Sequence, residues 1–277
     1  MNSVYFMKTS LMLFLFTTDP DFAATAEMSG VDSIIIDWEN HNKKSRQLDY
    51  STEINFDTPE DVARIASQVQ IPVTVRINSL GLHTKFEIEE AIKNGAKIIM
   101  LPMASDAREV QEFIDLVDGR AKTIIQIETQ RLVEDCDKLK FLPWDYAYIG
   151  LNDLMVSRRD NYIWNALLDG TVSHIYQTLA NKDVGFGGVT VVTGGYPIPF
   201  IELLAEMSRL GCKLSFLRRS FKKDIQGRDM VAEIQAIRYA WQAACLRSES
   251  AILRDQNKLT ETLLKHRVVD SKDIKMA

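Results

Sequence analysis

Thr123-Ile-Ile-Gln126-Ile-Glu128-Thr129 and Tyr146-Ala-Tyr-Ile149-Gly150-Leu151-Asn152-Asp153 decide how this chain folds. Each contains a short apolar run, Thr123–Ile127 and Tyr146–Ile149, of the kind that forms a buried strand. Each run ends on an acid. The amphipathic stretch Arg131–Leu142 lies between them and has the length of one crossover helix, so the two strands are expected to run parallel. Glu128 and Asp153 then stand at the C-terminal ends of consecutive strands, where two carboxylates can point into one pocket and share a divalent cation. Hard cations such as Mg²⁺ or Mn²⁺ want oxygen ligands and keep positions open for substrate. The structural alternative is that Glu128 caps the helix that follows and Asp153 merely ends a strand.

The same alternation runs outward in both directions. Apolar runs predict eight strands, at Leu11–Thr17, Ser33–Asp37, Val73–Arg76, Ile98–Leu101, Thr123–Glu128, Tyr146–Ile149, Val184–Val192 and Leu214–Arg218. Continuous rather than alternating apolar runs suit parallel strands buried on both faces. Helices are predicted at Pro20–Gly30, Thr58–Gln68, Lys85–Asn94, Asp106–Val117 (from a Ser105 cap), Trp164–Leu179, Pro199–Leu210 and Asp229–Cys245. Thr58-Pro59-Glu60-Asp61 reads as a helix start, with a threonine cap, proline in the first turn and acids at the positive end. Eight β/α units predict a (β/α)₈ TIM barrel rather than an open sheet or two smaller α/β domains, and 277 residues fit the roughly 250 such a barrel needs. Residues 1–247 are read as the barrel domain and 248–277 as a C-terminal extension: one amphipathic helix carrying Ala251 to Leu264, then a tail, Val269–Ala277. Asn40–Phe56 is a long polar loop after the second strand.

A formal net charge of −5 gives no electrostatic reason to expect nucleic acid or an anionic membrane as partner. No apolar run reaches the length of a transmembrane helix. The three cysteines, Cys136, Cys212 and Cys245, are far apart and show no metal-type spacing, which fits a reducing, cytoplasmic compartment. Met1–Thr17 has Lys8, the short apolar core Leu11–Phe16 and, beyond it, Ala23-Ala24-Thr25-Ala26, which imitates a signal-peptide cleavage site. The core is short for an exported leader and is followed by Asp19-Pro20-Asp21.

In a barrel the C-terminal strand ends converge on one face. Those ends carry Asp37 and Glu39 (strand two), Arg76 and Asn78 (three), Gln126 and Glu128 (five), and Asn152 and Asp153 (six). Acids with a fixed arginine beside them suit a substrate that becomes an enolate. A divalent ion acts as Lewis acid on the keto oxygen of a 2-oxo acid, and Arg76 adds preorganised charge. The structural alternative for Arg76 is an ion pair with Asp37 or Glu128. Gly194-Gly195-Tyr196-Pro197-Ile198-Pro199 reads either as a close backbone approach to a ligand, with Arg218 or Arg219 completing an anion site, or as a plain turn into a helix. Trp164 and Trp241 read as packing residues.

Gly30-Val-Asp-Ser-Ile-Ile-Ile-Asp37-Trp-Glu39, Val73-Thr-Val-Arg76-Ile-Asn78, Asn94-Gly-Ala-Lys-Ile-Ile-Met-Leu-Pro102-Met, Gln126-Ile-Glu128-Thr129 and Ile149-Gly-Leu-Asn-Asp153-Leu together resemble the HpcH/HpaI aldolase/citrate lyase family, in its order and spacing, over Leu11 to Asp160. The resemblance implies a divalent-metal lyase acting on oxo acids or acyl thioesters, and a homo-oligomer. Carried over by position, Glu128 and Asp153 match the metal ligands (Mg²⁺ or Mn²⁺). Arg76 matches the residue on the enolate oxygen, and Gln126 a polar substrate contact. The main-chain amides of Gly150, Leu151 and Asn152 match a carboxylate cradle. In the aldolase branch a histidine follows the acid matching Glu39; here that position is Asn40. His41, one residue on, is the candidate base, with a bound water as alternative. Asp37, Arg76 and His41 are thus the catalytic candidates.

The expected function is an aldolase-type carbon–carbon lyase that cleaves or forms a 4-hydroxy-2-oxo acid, giving pyruvate or a related 2-oxo acid and an aldehyde. The alternatives are an acyl-CoA lyase of citryl or malyl type, with Lys43, Lys44 and Arg46 as basic candidates for the nucleotide, and a barrel that has lost aldol chemistry and binds a metabolite or protein partner.

Overall fold

The computed structural model describes residues 10–40 and 57–273, with side chains up to 267. Eight parallel strands follow one another around a barrel: β1 (Met12–Phe16), β2 (Ser33–Asp37), β3 (Val73–Arg76), β4 (Ile98–Leu101), β5 (Lys122–Ile127), β6 (Tyr146–Ile149), β7 (Asp183–Phe186) and β8 (Leu214–Leu217). The hydrogen-bonded order is β7-β6-β5-β4-β3-β2-β1-β8. The fold is a (β/α)₈ TIM barrel with a C-terminal helix, as the sequence predicts.

Closure between β7 and β8 is made differently from the other seams. The Ser215 hydroxyl donates to Phe186 O at 2.9 Å, and the Lys213 N–H to Val184 O at 2.9 Å. Beyond β7, Val189 forms a parallel bridge with Leu217. Gly185 permits the approach, since a Cβ there would lie 2.0 Å from Leu214 O. β7 stops at Phe186, short of the expected Val192, because Gly187 turns the chain with φ of 91°.

Thirteen helices are described: α1 (Pro20–Met28), α2 (Pro59–Gln68), α3 (Thr84–Lys93), α4 (Ala107–Val117), α5 (Gln130–Glu134), α6 (Cys136–Leu139), α7 (Leu151–Ser157), α8 (Asn165–Leu168), α9 (Thr171–Thr178), α10 (Phe200–Leu210), α11 (Phe221–Asp224), α12 (Met230–Cys245) and α13 (Glu249–Asp273). Thr58 caps α2 in a capping box: Asp61 N–H donates to its hydroxyl and Asp61 Oδ2 accepts the Thr58 N–H. The cap of α4 is Asp106 rather than Ser105, its carboxylate accepting from the Arg108 and Glu109 N–H groups. The expected helix Arg131–Leu142 breaks at Asp135. Trp164–Leu179 breaks at Gly170, which sits in the left-handed region at φ 83°. α13 continues through much of the expected tail, to Asp273. It lies on its own barrel through buried Leu259 and Leu263, while Tyr162 donates to Leu263 O at 2.8 Å. No described helix is long and apolar enough to cross a membrane. The apolar core Leu11–Phe16 holds β1, and Ala23 and Ala26 are buried in α1.

Strand parity sets what the barrel encloses. Side chains alternate along a strand. Leu13, Leu15, Ile34, Ile36, Val73 and Val75 pack outward into the helix layer, whereas Phe14, Ile35, Ile98, Met100, Ile124, Tyr148, Leu214 and Phe216 form a separate inner cluster. The same parity carries on to Asp37, Arg76, Gln126, Glu128 and Arg218, so the inner rows end in polar groups at the C-terminal mouth.

Candidate active site at the barrel mouth

Asp37 and Arg76 are register partners at the ends of β2 and β3. Their side chains meet in a bidentate pair, Nε to Oδ1 at 2.8 Å and Nη2 to Oδ2 at 2.7 Å, and Glu39 Oε2 lies 3.2 Å from Nη1. The guanidinium carbon sits 5.3 Å from the centre of the Phe16 ring. Burial pulls the Arg76 guanidinium down, but Asp37, Glu39 and Glu128 outweigh it and hold the group above its ordinary value. Arg76 is therefore a permanent, immobilised cation. The ion pair with Asp37 expected as the structural alternative is present, and it fixes the cation's orientation.

Glu128 stands beyond β5 and is buried. It does not cap the next helix; Thr129 does, through its hydroxyl. Met103 N–H donates to Glu128 Oε1 at 2.8 Å, and the Gln126 amide donates to Oε2 at 3.0 Å. Met103 adopts φ 57°, rare for a residue with a side chain. Burial first, then the charges of Asp153 and Glu39, push the Glu128 carboxyl well above the usual carboxylate range, against the opposing pull of Arg76 and the Met103 N–H. Asp153 lies in the first turn of α7 and is close enough for its charge to act on Glu128.

Gly150, at the start of α7, packs against Glu128: a Cβ there would lie 2.3 Å from Oε2. Its N–H is already given to Ile127 O at 3.2 Å, so the amides this turn can offer are those of Leu151 and Asn152. Gln126 Oε1 is buried with no hydrogen-bond partner. Among the described residues no set of three or more His, Cys, Asp or Glu side chains is grouped for a metal. Two carboxylates and the concentration of negative charge around them fit Mg²⁺, which is bound by one or two carboxylates and keeps several waters.

Asn40 N–H donates to Asn78 Oδ1 at 3.0 Å, and Glu87 in turn holds the Asn78 amide at 2.7 Å. His41, Lys43, Lys44 and Arg46 lie outside the described residues. The Gly194–Pro199 segment is a turn. Phe200 N–H donates to Gly194 O at 2.9 Å, and a Cβ on Gly195 would be 2.4 Å from Phe200 N, so the glycines serve their own backbone. Trp164 and Trp241 are buried, as expected of packing residues.

Several mouth residues were not singled out from the sequence. Tyr148 stacks on Phe216 with ring centroids 3.6 Å apart, Phe16 meets Phe216 edge-on at 5.6 Å, and Asp57 accepts the Asp37 N–H at 2.8 Å. The aromatic residues carry a signal in strand parity; Met103 acts through its own backbone N–H and leaves none in residue type, while Asp57 acts through its carboxylate from beyond a long loop, where strand parity places nothing.

The family model for HpcH/HpaI aldolase/citrate lyase matches residues 10–162, more than half of the chain. The chain belongs to that family. Its members are lyases, generally dependent on a divalent metal. No curated protein sequence matches the chain. Among solved structures, an HpcH/HpaI aldolase from Desulfitobacterium hafniense DCB-2 is 14% identical with a TM-score of 0.59, covering 79% of this chain and 90% of that one. The protein CitE of Mycobacterium tuberculosis, solved with magnesium and pyruvate, is 16% identical with a TM-score of 0.59, covering 93% of this chain and 99% of that one. The citrate synthase SbnG is 17% identical with a TM-score of 0.56, covering 76% and 86%. At these identities the structural likeness shows the fold.

Proposed function

We propose that the protein is a carbon–carbon lyase of the aldolase type, dependent on Mg²⁺ or Mn²⁺ held by Glu128 and Asp153. Its substrate is a 4-hydroxy-2-oxo acid, cleaved to or formed from pyruvate (or a related 2-oxo acid) and an aldehyde. The observation that carries this reading is the placement of an immobilised guanidinium, Arg76, within the field of a buried carboxylate, Glu128, whose charge is raised in cost by Asp153 and Glu39.

When bound, the cation supplies Lewis acidity at the keto oxygen. Arg76 faces the charge that develops on that oxygen as the carbon–carbon bond breaks. Its geometry is set beforehand by Asp37 and Glu39, so no reorganisation is needed at the reacting moment. The Leu151 and Asn152 amides at the start of α7 orient the substrate carboxylate. Gln126 uses Nε2 to hold Glu128 and offers Oε1 to a substrate hydroxyl. The proton of the 4-hydroxyl passes to His41 or to a water in the site, since Asn40 has no group that takes it.

The test is incubation with pyruvate, Mg²⁺ or Mn²⁺ and a panel of aldehydes, with detection of 4-hydroxy-2-oxo acids, beside citryl-CoA and malyl-CoA cleavage followed by thioester loss. Metal-dependent aldol product supports the reading. Thioester cleavage alone moves the protein to the acyl-CoA branch, and the absence of both activities overturns the lyase assignment.

A further inference from the structure

Across the mouth from Glu128, where β1 and β8 adjoin, lies a pocket of about 70 Å³. That is far below the roughly 300 Å³ at which pockets for whole ligands begin, so it suits one small group of a larger molecule. Its wall carries Arg218, Arg219 and Lys222 from the end of β8 and α11, with Asp57 as the acidic member. Among the described residues no carboxylate lies within ion-pair distance of Arg218 or Lys222. Arg218 is half-buried, and its Nε and Nη2 both donate to one carbonyl, Gly188 O, at 3.3 and 3.1 Å. The acid whose charge acts on it from farther away, Asp224, is engaged by the hydroxyls of Thr190 and Ser220. A half-buried guanidinium with no carboxylate in contact among the described residues is costly, and an anion in the pocket would offset that cost through charge-assisted hydrogen bonds.

The pocket also belongs to the mouth. Phe16 forms part of its wall and is the ring over which Arg76 lies, and Asp57 holds the backbone of Asp37. The pocket and Glu128 thus lie on opposite sides of one barrel mouth, above an interior just wide enough for side chains.

We propose that Arg218 and Lys222 form a subsite for an anionic terminus, phosphate or carboxylate, on the half of the substrate that leaves as aldehyde. This rests on the lyase reading for the substrate's orientation, while anion binding itself does not. The experiment is calorimetric titration of the full chain with inorganic phosphate and with succinate, in chelator so that no divalent ion takes part. The wild type, Lys222→Gln and Arg218→Gln are compared, each with a thermal melt. Saturable binding of at least one anion is expected, weakened about tenfold in each variant, the size of one charge-assisted contact. The tighter of the two anions identifies the group. No saturable binding to the wild type, or equal binding to Lys222→Gln, overturns the proposal. Lys222 makes no hydrogen bond among the described residues, so that variant remains a test even where Arg218→Gln loosens the fold. Anion binding without any aldol or thioester activity would keep the subsite and remove the lyase reading.

Discussion

Gly150 and Glu128 are in contact across the ends of β6 and β5, so closely that a Cβ on Gly150 would lie 2.3 Å from Glu128 Oε2 and 2.9 Å from its Cβ. The φ of Gly150 is an ordinary −85°, so the glycine is required by space and not by backbone conformation. Gly150→Ala is therefore expected to fold and to displace the carboxylate. Mn²⁺ affinity, read by electron paramagnetic resonance, should fall by about ten- to a hundredfold, as when the support of a metal ligand is lost. Unchanged affinity would place the metal elsewhere.

Arg76→Ala would strand Asp37, which is fully buried, without its partner. Losing one member of a buried pair costs about 3–5 kcal/mol, so this variant reports mainly on stability. Arg76→Lys keeps a charge and loses the two-pronged geometry. The expectation is a small change in melting temperature with turnover reduced on the order of a hundredfold, the loss typical of one preorganised donor. Turnover within about threefold of wild type would mean that Arg76 is structural.

Gly185 carries the seam between β7 and β8, with a Cβ position 2.0 Å from Leu214 O. Gly185→Ala is expected to cost about 1–3 kcal/mol. The melting temperature should drop by roughly 2–4 °C per kcal/mol. Circular dichroism and melting measure it, and a melting point equal to wild type would show the seam to be looser than the geometry indicates.

Asp57 is held above the ordinary aspartate value of 3.8, first by burial and then by Asp37 and Asp61, while the Asp37 N–H and Lys222 lower it. A raised carboxyl favours the folded state in its neutral form. Its stabilising contribution is present below pH 3.8 and is lost as pH rises through the higher folded value. Asp57→Asn removes this titration, so its melting temperature relative to wild type should rise with pH from 3.8 upward and level off once the folded carboxyl is ionised. A difference constant across that range would contradict the assignment.

The strand frame was legible because continuous apolar runs bounded by glycine and acids leave few alternatives. β2, β3, β4 and β6 begin and end where the sequence places them. The break at Gly170 and the early end of β7 at Gly187 depend on positive φ angles that a glycine allows but does not announce. At the mouth, Glu128, Asp153, Arg76 and Asp37 were visible as charged residues at strand ends. Their arrangement was not: that Met103 offers its N–H to Glu128, or that Asp57 returns to Asp37, follows from chain paths between strands. The Gly194-Gly195 pair was ambiguous because the same residues suit a ligand and a tight turn, and only the carbonyl accepting Phe200 N–H decides it.

The central claim is that Glu128, Asp153 and Arg76 together make a 2-oxo acid lose a proton next to its carbonyl. Exchange of the pyruvate methyl protons for deuterium, followed by NMR with Mg²⁺, with Mn²⁺ and with chelator, measures this without any knowledge of the aldehyde. Exchange is expected to require metal and to disappear in Glu128→Ala. Exchange that persists in chelator, or is unchanged in Glu128→Ala, would contradict it.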